Sequence, residues 1–170
     1  MKEEDRTEPP QVGDDRATLT GFLDFHRDTL EWKCAGLTPE QLRERAVPPS
    51  SMSLLGLVRH LAEVERGWFQ RGVAGETVVP LYYSDDDPDG DFDNVDGATQ
   101  ADVDEAFATW RAAVARAREI IAAASLDDTF TRRDGEISVR WVLVHMIEEY
   151  ARHNGHADLL RERIDGATGE

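Results

Sequence analysis

Apolar residues recur at helical spacing in four long stretches of this chain, separated by segments rich in Pro, Gly and Asp. The first stretch runs from about Arg16, with Leu19, Phe22, Leu23, Leu30 and Leu37 as core candidates and Gly36 placed to stop it. Thr38-Pro39-Glu40-Gln41 then has the composition of a helix start: a hydroxyl cap, a proline in the first turn and a Gln able to close a capping box. It predicts a short helix to about Arg45, followed by a Pro-Pro loop. The second long stretch begins after Ser53 as N-cap and reaches about Arg71; Leu54, Leu57, Val58, Leu61, Val64, Trp68 and Phe69 form its stripe, and Gly72 and Gly75 close it. The third runs from about Gln100 to Ala124, capped by Thr99 or Asp102, and buries Val103, Phe107, Trp110, Val114, Ala117, Ile120 and Ile121. The fourth opens at Ser138 and runs to about Arg163, with Gly166 just past its end. Gly155 inside it costs about 1 kcal/mol against Ala, which suggests close packing or a kink there.

Residues 73–98 form one long connection. Leu81-Tyr82-Tyr83 reads as a brief extended piece that packs on the helices, and the acidic run from Asp85 to Asp96 as a solvated loop. A loop of this length in a compact domain is more often functional or a crossover than idle. Residues 125–136 read as a turn region with Asp134-Gly135 as the tight-turn signal and room for a small extended pair. Four long amphipathic helices with no convincing sheet predict an all-α four-helix bundle over residues 16–170, preceded by a flexible, Pro-bearing arm over 1–15.

Composition narrows the chemistry. The 170 residues suffice for one domain with a proper core. The formal net charge of −16 would repel phosphate backbones and anionic membranes over most of the surface, so no nucleic-acid or membrane partner is expected. No apolar run is long enough to span a bilayer and the first residues lack an apolar signal core, so a cytoplasmic location is expected. Cys34 is the sole cysteine, which excludes an internal disulfide and a Cys-based zinc finger. Its place near a helix end, with no histidine close in sequence, reads as buried and inert. The tryptophans Trp32, Trp68, Trp110 and Trp141 fall one per long helix, as for a shared core.

The fourth stretch breaks the rule that a core-facing stripe is apolar. His145, Glu149, His153 and His156 follow one another at spacings of four, four and three, on one helix face, flanked by Trp141, Val142, Met146, Leu159 and Leu160. A bound divalent ion is the simplest reason for imidazoles and a carboxylate in such a line. Glu149 and His153 stand one turn apart, and so do His145 and Glu149; either pair can share an ion. A third donor must come from another helix, and His60, among the apolar residues of the second, is the natural one. Each residue alone has a plainer reading. His60 fits a satisfied core histidine, Glu148 and Glu149 fit surface charges paired with Arg152, and His153 and His156 fit a helix C-terminal half. His26, beside Arg27 and Asp28, reads as surface. Glu63 and Glu65 read equally as partners that orient an imidazole and as solvated charges. Three His/Glu donors leave coordination positions open for water or substrate. The set suits zinc, nickel, cobalt, iron or manganese, with zinc and nickel foremost.

The runs Leu57-Val58-Arg59-His60-Leu61-Ala62-Glu63-Val64-Glu65 and Glu149-Tyr150-Ala151-Arg152-His153-Asn154-Gly155-His156 resemble the DinB/YfiT-like superfamily of metal-dependent four-helix bundles. Within it the chain is most similar to an actinobacterial subgroup related to mycothiol-dependent maleylpyruvate isomerase. The resemblance covers nearly everything after residue 16. It implies His60, Glu149 and His153 as the metal ligands, with Glu149 standing where many members carry histidine. The triad of His60, His145 and Glu149 is the fallback. It also implies an up-down-down-up bundle with its crossover near 73–98, often as a homodimer. In members of known activity the metal activates the thiol of a small cofactor such as mycothiol for transfer or isomerisation. A thiol S-transferase or isomerase acting on a small-molecule electrophile is therefore the leading expectation, with His156 and His145 as catalytic candidates for moving a proton. A metal-dependent hydrolase, using water in place of thiolate, is the enzymatic alternative. A non-catalytic metal- or ligand-binding bundle of the stress response is the other class, and a fourth protein ligand closing the site would favour it.

Overall fold

A computed structural model describes residues 6–132 and 135–169. Among them lie six α-helices: α1 Asp15–Cys34, α2 Pro39–Leu42, α3 Leu54–Glu65, α4 Gly90–Asp93, α5 Gln100–Ala123 and α6 Val139–Asp165. A two-stranded antiparallel hairpin, β1 Thr129–Arg132 and β2 Gly135–Ser138, precedes α6. The chain is mostly helical. α1 packs along α6, α3 packs along α5, and α3 also meets α6, so α3 and α6 face each other inside the molecule.

The helix starts follow local chemistry. The Asp14 carboxylate accepts from Ala17 N, and Ser53 and Ser138 hydroxyls accept from Gly56 N and Trp141 N. Thr38 and Gln41 close the reciprocal capping box. Gly166 ends α6 in the left-handed conformation at φ 79°, where a Cβ would be strained. α3 does not stop where its α-helical hydrogen bonding ends. It continues as a π-helical segment over Arg66–Val73, which widens the turn where Trp68 and Phe69 sit. Gly72 in this segment lies under the hairpin, and a Cβ there would come 2.9 Å from the Phe130 ring. The hairpin pairs Phe130 with Ile137. The expected turn signal at Asp134 lies outside the described residues.

The core is Leu-rich, with Leu23, Leu30, Leu54, Leu57, Leu61, Phe69, Leu143 and Met146 fully buried. Three expected apolar positions turn outward. Phe22 is 44%, Trp141 49% and Leu159 57% exposed, because a 3.6-residue period defines a stripe but not its edges. Of the tryptophans, Trp110 alone is buried. Gly155 faces open space, so the close packing expected there is absent.

One polar network runs through this core with a member from each long helix. The Arg27 guanidinium of α1 makes a two-pronged pair with Glu65 of α3, Nε to Oε1 and Nη2 to Oε2, each 2.8 Å. Tyr150 of α6 donates its hydroxyl to Glu65 Oε1 at 2.8 Å, and Trp110 Nε1 of α5 donates to the Tyr150 oxygen at 2.8 Å. All four are at most 2% exposed. Glu65 is thus neither solvated nor an imidazole's partner. Burial pulls the Arg27 guanidinium down, but the Glu65 charge and hydrogen bond outweigh it and hold Arg27 well above its usual range; burial first, and then the Glu65 charge, push the Tyr150 hydroxyl up.

Candidate metal centre

His60 lies two turns into α3, and Glu149 and His153 lie one turn apart on the stretch of α6 that faces it. Their donor atoms all fall within 4.8 Å of one another. Tetrahedral coordination at about 2.0–2.2 Å separates donors by about 3.4 Å. Glu149 Oε2 and His153 Nε2 stand 3.5 Å apart, close to that spacing before any adjustment. The two imidazoles meet edge to face, with ring centroids 4.8 Å apart.

The protonation states suit a cation. His153 is 8% exposed, and its pKa is lowered to about 4, first by burial and then by the neighbouring His60 and His156. It is therefore neutral at pH 7 with a lone pair available, as a metal ligand must be. The Nδ1 atoms of His153 and His156 are buried and accept or donate no hydrogen bond. Buried polar atoms are seldom left without partners.

The flanking histidines divide. His145 Nε2 lies 3.3 Å from Glu149 Oε1. Its ring is stacked on Trp141 (centroids 4.9 Å, planes 10° apart) and meets Trp68 edge-on at 4.6 Å. His145 is thereby fixed against the outer oxygen of Glu149. His156 sits on the other side of His153, centroids 5.4 Å apart. Neither joins the group of donors that closes on one point.

Three features were not legible from the pattern of residues. The acidic run expected to be a solvated loop folds inward at α4, where Asp91 is 5% exposed and Val95 is fully buried. Asp91 Oδ2 lies 2.8 Å from His60 Nδ1, and Phe92 stacks on the same imidazole at 4.6 Å. Phe92 sets Asp91 and Asp93 apart from the other aspartates of the run, and nothing local separates those two. Glu63, read as solvated or as an imidazole's partner, instead accepts from the backbone N–H groups of Leu81 and Tyr82 and pins the crossover to α3. The Leu81-Tyr82-Tyr83 piece is consequently attached to α3 without becoming a strand. His26, read as surface, is half-buried; Asn154 Nδ2 donates to its carbonyl at 3.0 Å, and burial lowers its pKa.

Cys34 is buried, and burial pushes its thiol up to about 12, so it supplies no thiolate at neutral pH. The cleft of about 290 Å³ beside Arg59 and Tyr82 contains none of the candidate ligands. No helix among the described residues is long and apolar enough to cross a membrane.

Among curated proteins nothing matches this chain. A family model described as Mycothiol-S-transferase matches residues 18–166, a span that takes in His60, Asp91, Glu149 and His153 together with α3, α5, α6 and most of α1. By that match the chain belongs to the mycothiol-S-transferase family.

Proposed function

We propose that this protein is a metal-dependent enzyme that joins mycothiol through its sulfur to a small electrophile, or uses that thiol for isomerisation. His60, Glu149 and His153 would hold one divalent ion, with zinc or nickel best suited to the donor set. The single observation that carries this is the convergence of three donors from two facing helices within 4.8 Å. The absence of a fourth His, Cys, Asp or Glu from that group, among the described residues, supports an open and hence catalytic site. The family's resemblance to up-down-down-up bundles that work as homodimers supports the same architecture here.

When bound, the metal would supply Lewis acidity, lowering the pKa of a coordinated thiol so that thiolate forms at neutral pH. The chain's own groups do the remaining work. Neutral His153 offers its lone pair without first losing a proton. His145, held between two indoles, orients the Glu149 carboxylate. The unpartnered Nδ1 of His156 accepts the proton that the incoming thiol releases. The hydrogen bonds of Tyr150 on α6 with Trp110 of α5 and Glu65 of α3 keep α6 from rotating, so that Glu149 and His153 stay turned toward α3.

The test is elemental analysis of untagged protein together with mycothiol-dependent conjugation of a panel of electrophiles. About one equivalent of transition metal is expected, with turnover that requires both metal and mycothiol. Turnover with water alone would move the assignment to a hydrolase. Fully metal-loaded protein with no thiol-dependent turnover would overturn the transferase assignment.

A further inference from the structure

Resting on the metal site proposed above, we infer that Asp91, in the acidic crossover, is a positioning residue: its carboxylate fixes His60 in the tautomer that turns Nε2 to the ion. A carboxylate only accepts, so the 2.8 Å contact from His60 Nδ1 to Asp91 Oδ2 requires the ring proton on Nδ1 and leaves the Nε2 lone pair free. The carboxylate also makes the imidazole a stronger donor.

The crossover is built to deliver this one side chain. Asp91 Oδ1 accepts from Phe92 N at 3.0 Å, which fixes the carboxylate plane. Phe92 stacks on His60 from the same short helix. Arg59, adjacent to His60, donates through Nη2 to the Gly90 carbonyl at 3.0 Å and through Nη1 to the Asn94 carbonyl, one bond on each side of Asp91. Gly56, one turn earlier on α3, lets the Phe92 backbone approach: a Cβ there would meet Phe92 Cα at 3.2 Å. Thus Gly56, Arg59, His60 and Glu63, all on one helix, clasp the segment that carries Asp91. Its other aspartates do not reach His60. Asp93, two residues on, is exposed and serves as a control in the same acidic field.

The experiment compares wild type, Asp91→Ala, Asp91→Asn and Asp93→Asn by zinc affinity, by 15N chemical shifts of the metal-free histidines, and by unfolding midpoint. Asp91→Ala is expected to weaken zinc binding by about 10- to 100-fold and to release His60 to a mixture of tautomers. Asp91→Asn keeps an acceptor without the charge, so it should retain the tautomer with a smaller loss of affinity, and it remains informative if the alanine variant folds poorly. Asp93→Asn should match wild type. Tight wild-type zinc binding with Asp91→Ala within about twofold of it would overturn this inference alone, as would an unchanged His60 tautomer or an equal loss in Asp93→Asn. Wild-type protein that binds no zinc, nickel or cobalt would overturn the metal site itself and the role of Asp91 with it.

Discussion

Two polar clusters join α3 to α6, one fully buried with members from α1 and α5 as well, the other half-buried, and they are finished differently. In the Arg27–Glu65–Tyr150–Trp110 network, the charged pair is bidentate and the Tyr150 hydroxyl both donates and accepts. In the His60–Glu149–His153 group, the donors converge at 3.5 to 4.8 Å, too far for good hydrogen bonds among themselves, and two imidazole Nδ1 atoms nearby have no partner. A satisfied network holds a fold, because breaking it strands a buried charge. A convergent group that does not satisfy itself keeps its lone pairs for another partner, the ion proposed above. The two clusters share α6, where Tyr150 follows directly on Glu149, so one sets the rotation of the helix that presents the other.

The contrast is broken most severely at Glu65. Glu65→Ala leaves the Arg27 guanidinium buried without its acceptor and should destabilise the protein by about 3–5 kcal/mol, read by urea unfolding of metal-free protein; a loss under about 1 kcal/mol would mean that the network is not structural. His60→Ala should do the reverse. Metal content should fall from about one equivalent to below about a tenth, while the metal-free unfolding midpoint moves far less than in Glu65→Ala. If His60→Ala retained its metal, the ligand set would be wrong. A finer division comes from Tyr150→Phe, which removes one hydroxyl between Glu65 and Trp110. It should cost about 1–3 kcal/mol with metal content unchanged, and loss of metal would show that the two clusters act as one. The smallest effect belongs to Cys34. With its thiol pushed up to about 12 by burial, native protein should resist iodoacetamide at pH 8, and Cys34→Ala should keep full thiol-dependent turnover. Rapid native-state alkylation would contradict the burial.

Much of the fold is written in short-range chemistry. Ser53, Ser138 and the Thr38–Gln41 box each cap a helix as their composition predicts, because a cap needs only residues within one turn. The spacing of Glu149 and His153 carried half the candidate site for the same reason: four residues on a helix define a shared face without reference to anything else. Spacing alone left open which of the two possible pairs converges with His60, since His145 has equal spacing to Glu149; the family resemblance pointed to Glu149 and His153, the pair found in the group. Packing decides it: His145 is taken up by Trp68 and Trp141, and His153 meets His60. Phe22, Trp141 and His26 were misplaced because periodicity locates a stripe to within a residue or so on either side, and their burial depends on where the neighbouring helix ends.

By itself the sequence determined the four long helices, several of their caps, the exclusion of cysteine chemistry and a short line of His and Glu donors, all properties that depend on neighbours within a turn or two. Only the tertiary structure decided the rest: that Glu65 is buried against Arg27, that one aspartate of an acidic run reaches His60, and that the crossover is clasped to α3. Those contacts join residues 38, 31 and 19 positions apart. Their partners are set by how helices pack and where a long connection returns, and no local pattern of hydrophobic and polar residues encodes that.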